Sequence, residues 1–113
     1  MDAVARDPQL LKGVLPMLVL GLLGNSESYG YELVTRLQAA GLTGIATGTV
    51  YPVLSRLERE GLLTCRLQES PAGPARKYYT PTSQGRSHFA TALAAWAELG
   101  RVVTALTPGK EGQ

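Results

Sequence analysis

The chain holds one cysteine, one histidine, one tryptophan and one phenylalanine in 113 residues. A lone Cys65 leaves no internal disulfide, and no partner stands at ligand spacing from it for a redox or metal role. In an alternating apolar stretch it reads as a small buried hydrophobe. His88 is the only imidazole, so Ser83, Ser87 and Cys65 have no base in the sequence that obviously serves them. Neither a glycine-rich phosphate loop nor a paired-carboxylate motif is present, which argues against an enzyme and implies no cofactor. Charge of one sign is also scarce, with 18% charged residues and a net charge of +2. Long apolar runs are missing too. The longest, Leu10 to Gly24, is interrupted by Lys12, Gly13 and Pro16 and falls short of the ~20 residues that cross a bilayer. No small-residue cleavage site follows it. The expectation is a buried core helix in a cytoplasmic protein with no membrane partner.

What is present is a helical pattern with one ribbon, in a chain of one-domain length whose small core an oligomer would help. Residues 1–8 read as a loose leader. From Gln9 to Gly24, Leu10, Leu11, Val14, Leu15, Leu18 and Leu22 form a helical stripe, with Pro16 either kinking that helix or opening a later one. After a polar break, Ser28 is placed to cap a second helix, Tyr29 to Ala40, with Leu33, Val34 and Leu37 inward and Gly41 as its stop.

The stretch from Thr47 to Leu63 is the most telling. Val50, Val53, Leu54 and Leu57 share one side of a helix capped by Thr47 and ended by Gly61. The other side carries Gly48, Thr49, Tyr51, Pro52, Ser55, Arg56 and Arg59 where a solvated helix would carry Lys and Glu. Small residues, hydroxyls, a phenol and two guanidiniums suit close approach to a polyanion, with room to meet base edges. Basic residues cluster downstream, with Arg56, Arg59, Arg66, Arg76, Lys77 and Arg86 against Glu58, Glu60 and Glu69.

Leu63 to Gln68 alternates, with Leu63, Cys65 and Leu67 on one face, as in a half-buried strand. Glu69 to Pro74 reads as a turn, and Ala75 to Thr80 returns as the second strand. Arg76, Tyr78 and Thr80 share one face of that strand, with Lys77 and Tyr79 on the other. Phosphate contact by Arg76 and Lys77 would hold register on DNA without reading sequence. Thr82 caps a last helix to about Leu106. Along it Phe89, Leu93, Trp96, Gly100 and Val103 form one stripe, with Ala92, Leu99, Val102 and Leu106 beside it. One stripe can cover the chain's own first helix. The other argues for a second subunit, with Trp96 at the seam, unless Trp96 simply fills the core. The fold class is therefore mainly α with a small β-hairpin, a winged helix-turn-helix plus a C-terminal dimerisation helix. Its parts are a DNA-binding domain over 9–81, the dimerisation helix over 82–107, and tails at 1–8 and 108–113.

These residues resemble the PadR family of bacterial transcriptional regulators, in its small form with a single C-terminal helix. The resemblance rests on Tyr29-Gly30-Tyr31-Glu32-Leu33, on Gly48-Thr49-Val50-Tyr51-Pro52-Val53-Leu54-Ser55-Arg56-Leu57-Glu58 with Gly61-Leu62-Leu63, on Arg76-Lys77-Tyr78-Tyr79, and on Thr82 with Gly85-Arg86. It implies a homodimeric repressor of a palindromic operator, with Tyr29, Thr49, Tyr51 and the Arg76/Lys77 wing facing DNA. It also implies a cavity between subunits, lined by a residue like Trp96, that takes a planar aromatic effector. Pro16 and Pro81 depart from the family pattern and bear on the first helix and on the tilt of the wing. Two other readings fit the residues: a winged helix used only for protein contacts, and a protein that sequesters aromatic compounds without regulating DNA.

Overall fold

A computed structural model describes residues 3–109. The order is α1 (Ala3–Arg6), α2 (Pro8–Asn25), α3 (Gly30–Ala39), α4 (Thr47–Arg59), β1 (Leu63–Ser70), β2 (Gly73–Pro81) and α5 (Ser83–Ala105). This is the mainly helical, winged arrangement that the sequence pattern predicts.

The amino-terminal stretch differs from the expected leader. Residues 3–6 form α1, and the Asp7 carboxylate accepts hydrogen bonds from the backbone N–H groups of Gln9 and Leu10 at 3.2 and 3.1 Å. With Pro8 as first helical residue, this is a well-formed helix start. Pro16 opens nothing; it lies inside α2, which runs through it as one helix. Residues 1 and 2 of the leader, and 110–113 of the tail, lie outside the described residues.

The core gathers Leu11, Leu15, Val19, Leu20 and Leu23 of α2, Leu33, Val34 and Leu37 of α3, and Val50, Leu54 and Leu57 of α4. Leu10, expected on the inner stripe, is half-exposed instead. By length and composition α2 could cross a membrane, with a mean hydropathy of 1.2, but here its apolar side chains supply the centre of the fold. The linker before α4 contributes as well, through buried Ile45.

Helix ends follow the glycines. Gly41 and Gly61 have φ of 129° and 80°. At each, the glycine N–H and the next N–H bond back into the last turn: Gly41 to Gln38 and Leu42 to Leu37, then Gly61 to Glu58 and Leu62 to Leu57. This double closure satisfies carbonyls a helix end leaves open, and the backbone it needs suits glycine.

Helix starts correct two expectations. The cap of α3 is Tyr29 and that of α4 is Ala46, neither with a side-chain cap bond. Ser28 is drawn elsewhere: its buried hydroxyl accepts from Arg36 at 2.6 Å. The same guanidinium donates to the carbonyls of Ser26 and Leu22 at 2.9 and 2.7 Å, tying the end of α2 to α3.

The hairpin is longer than expected, since pairing runs from Leu63 opposite Pro81 to Ser70 opposite Gly73. Pro71 and Ala72 alone make the turn, so the predicted Glu69–Pro74 turn is too wide. The inward face is shorter than the alternation implies: Leu63 is buried and Cys65 half-buried, but Leu67 is 70% exposed. Past Cys65 the ribbon has left the core. Pro81, at the rung nearest the core, is buried opposite Leu63. Beyond it, Thr82 caps α5 by accepting from the Gly85 N–H at 3.0 Å.

Candidate nucleic-acid interface

Burial of Val50, Leu54 and Leu57 turns the opposite face of α4 outward. Thr47, Gly48, Thr49, Tyr51, Pro52, Ser55, Arg56 and Arg59 are all exposed, and Val53 is half-buried at the edge. A Cβ built on Gly48 would meet nothing within 4 Å, so the first turn of α4 is open to close approach. Pro52 cannot donate a backbone bond to the carbonyl of Gly48, one turn earlier on that face.

The wing meets the start of α3, beside this face, through aromatic and cationic contacts. The Arg76 guanidinium lies 4.4 Å from the centre of the Tyr29 ring. Tyr29 meets Tyr78 edge to face at 5.3 Å, and Arg66 covers Tyr78 at 4.9 Å. Arg66 is fixed in turn by the carboxylate of Glu27, to which its Nε donates at 3.0 Å. Each partner stabilises the other's charge: Glu27 is held below the ordinary carboxylate range and Arg66 is raised, mainly by their mutual hydrogen bond. Of the two wing tyrosines, Tyr78 and Tyr79, the buried one is Tyr79, whose N–H donates to the Ser28 carbonyl at 2.9 Å and joins the wing to the start of α3. Burial pushes its phenol up.

A groove of about 420 Å³ runs between the wing and α4, lined among others by Tyr29, Tyr51, Ser55, Arg76 and Lys77. Strand alternation sends Arg76 and Lys77 to opposite faces, yet both border this groove. They differ in freedom. Among the described residues Arg76 makes no ion pair, whereas Lys77 donates to Glu58 at 3.2 Å. Glu58 also accepts from the Cys65 thiol at 3.3 Å. The thiol and lysine bonds, in that order, hold the Glu58 carboxyl below its usual range. Burial, then this hydrogen bond, pushes the Cys65 thiol up, and the Glu58 bond raises Lys77. Cys65 is therefore a half-buried donor to a carboxylate, not the purely apolar residue expected.

The basic cluster is thus partly neutralised. Arg56 pairs with Glu60 at 3.7 Å, and Arg66 and Lys77 are paired as described. Two residues escaped the sequence reading. Lys12 borders a cleft of about 610 Å³ with Thr49, Pro52, Arg56 and Arg59, on a flank of α4 that the wing does not line. Gly30 lies directly under the Tyr51 ring. Neither was read as a site residue: Lys12 interrupts an apolar run and Gly30 stands within the Tyr29–Leu33 motif, and only the fold brings α2 and α3 against α4.

On α5, Phe89 is half-buried against Gly21, where a Cβ would stand 2.8 Å from its ring. Beyond it Ala92 is half-buried, and from Leu93 on both expected stripes are bare. Leu93, Trp96, Leu99, Val102 and Val103 are 46–57% exposed, and Gly100 has open space around it. The expectation that one stripe covers the chain's own first helix therefore holds only for its first turns, and Trp96 does not fill the core. It stands between a cleft of about 530 Å³ shared with Val14, Leu18 and Leu93, and one of about 380 Å³ shared with Leu10, Ala92 and Leu99.

The profile of the "Transcriptional regulator PadR-like family" matches residues 19–91. The crystal structure of a PadR-like transcriptional regulator from Bacillus cereus superposes with a TM-score of 0.79 at 37% identity, covering 90% of this chain and 99% of that one. A transcriptional regulator of Mycobacterium tuberculosis is 35% identical over 85 residues, 75% of this chain and 78% of the relative. Bacillus subtilis PadR, solved in complex with operator DNA, superposes with a TM-score of 0.64 at 28% identity, covering 71% of this chain and 46% of that one. These relatives are regulators of transcription, not enzymes.

Proposed function

The chain belongs to the PadR-like family of transcriptional regulators, and from that premise we propose that it represses transcription as a homodimer on a palindromic operator. In this reading residues 9–81 bind DNA, residues 82–107 pair the two subunits, and a planar aromatic ligand near Trp96 releases the complex. Such a regulator works in the cytoplasm, with the chromosome. The observation that carries DNA binding is the outer face of α4: exposed, open at Gly48, and flanked by the wing. Thr49, Tyr51 and Ser55 stand where they can meet base edges, with Gly48 and Pro52 giving room. Arg59 and Arg76, unpaired among the described residues, hold phosphates, with Thr47, Arg56, Lys77, Tyr29 and Tyr78 beside them. The relative solved on operator DNA supports this assignment.

Genomic fragments selected by the protein supply the probe. Replacing Arg76 and Lys77 together by alanine should weaken binding to every fragment. The salt dependence should flatten by a slope of about 1 per lost phosphate contact. Equal affinity of wild type and variant across salt concentrations would overturn the reading.

The effector step has its own check. A planar aromatic compound should quench Trp96 fluorescence and lower DNA affinity together. Quenching that leaves DNA affinity unchanged would favour a sequestering protein, a reading supported by the two clefts beside Trp96.

A further inference from the structure

Gly30 occupies the first position of α3, and nothing in its own backbone calls for glycine. It is not among the positive-φ glycines, which are Gly41, Gly61, Gly73 and Gly109. At such a site helix propensity and the entropy of the unfolded chain both favour alanine. The reason for glycine lies across the groove. A Cβ on Gly30 would stand 2.7 Å from Tyr51 Cε1, 2.8 Å from Cζ and 3.1 Å from the phenolic oxygen. Those distances are too short for packed atoms, so the tyrosine ring rests directly on the bare backbone of α3. Tyr51 is nonetheless 47% exposed. Its outer edge lies in the groove wall with Ser55 and Arg76.

We infer that Gly30 is a positioning residue for Tyr51: the side-chain-free first position of α3 is the shelf that holds the phenol at one height over α4, and so sets which DNA atom its hydroxyl meets. This rests on the DNA-binding reading above. The ring is the far end of a flexible side chain, so an added methyl displaces it without disturbing the core. Stability and recognition therefore respond in opposite directions. Gly30→Ala leaves the fold intact or firmer, yet moves a side chain that lies on α3 and faces the groove.

The test uses the full chain and a genomic fragment selected by the wild-type protein, with binding followed by anisotropy. Gly30→Ala should keep or raise the thermal midpoint while weakening binding about tenfold, the cost of one polar DNA contact. Tyr51→Ala should weaken it by a similar factor. Adding Gly30→Ala to Tyr51→Ala should then cost nothing more, an outcome a merely structural role would not produce. In the free protein, NMR should show nuclear Overhauser contacts between the Gly30 α protons and the Tyr51 ring, and Gly30→Ala should shift the ring resonances. The inference is overturned if Gly30→Ala binds as wild type does, or if it costs the same factor with and without the tyrosine. It is equally overturned if those contacts are absent. Should Tyr51→Ala and the Arg76/Lys77 variant both bind as wild type does, the DNA-binding reading itself falls and takes the inference with it.

Discussion

Glu58 governs how much of the wing's charge is available to a ligand. Its carboxylate holds both the Cys65 thiol and Lys77, and these bonds lower its pKa in the folded chain below the unfolded value. The stabilisation is therefore complete above the ordinary glutamate range and is lost as pH falls through the folded value. Glu58→Gln should flatten the acid limb of a thermal-midpoint profile between pH 7 and 3. A limb as steep as wild type would assign acid sensitivity to other carboxylates. The same variant releases Lys77. Its affinity for operator fragments should rise about two- to fivefold, with a steeper salt dependence, because a like-charged neighbour of the phosphates is gone. Titration of fragment binding in salt checks this. This pairing was not legible in the sequence, where Glu58 and Lys77 are distant and Lys77 reads as a phosphate contact of the wing.

Among the elements, ends were more legible than starts. Gly41 and Gly61 terminate their helices as expected because a left-handed residue after a helix is a local requirement. Ser28 and Thr47 are not caps, for different reasons. Arg36 claims the Ser28 hydroxyl, and α4 begins at Thr47 itself. The outer face of α4 was readable because helical period alone separates it from Val50, Leu54 and Leu57. The position of Tyr51 over Gly30 was not, since it depends on how α3 and α4 cross. The junction of wing and α5 depends on another glycine. Gly85 is the buried residue of α5, and a Cβ there would lie 2.0 Å from the backbone oxygen of Leu62. Backbone cannot yield as a flexible side chain does. Gly85→Ala should cost about 1–3 kcal/mol, the range for overpacked sites, seen as a lower urea midpoint. An unchanged midpoint would mean that α5 shifts freely on the wing.

As a whole the molecule is elongated, 56 × 29 × 21 Å, with a radius of gyration of 16.0 Å. A compact domain of this length would have about 13 Å. Two elements project: the ribbon past Cys65, and α5, whose 23 residues pass beyond what α2 can cover. Sequence reading found both stripes on this helix but could not say where coverage stops, because that depends on where α2 begins. On the homodimer proposal, Leu99→Glu places charge in the seam and should yield monomers by sedimentation velocity, with DNA affinity lost at submicromolar protein. Dimers that persist would move the seam elsewhere.

On the homodimer proposal, the uncovered length of α5 ties the protein's activity to its abundance. A helix with so little tertiary support keeps its shape poorly alone; in the proposed homodimer a second copy supplies its order, and thermal midpoints should climb with protein concentration. Below the pairing constant, the DNA-competent species grows as the square of the amount synthesised. Doubling expression would then quadruple the regulator that matters, giving a sharper threshold from a single projecting helix than a monomeric binder could achieve.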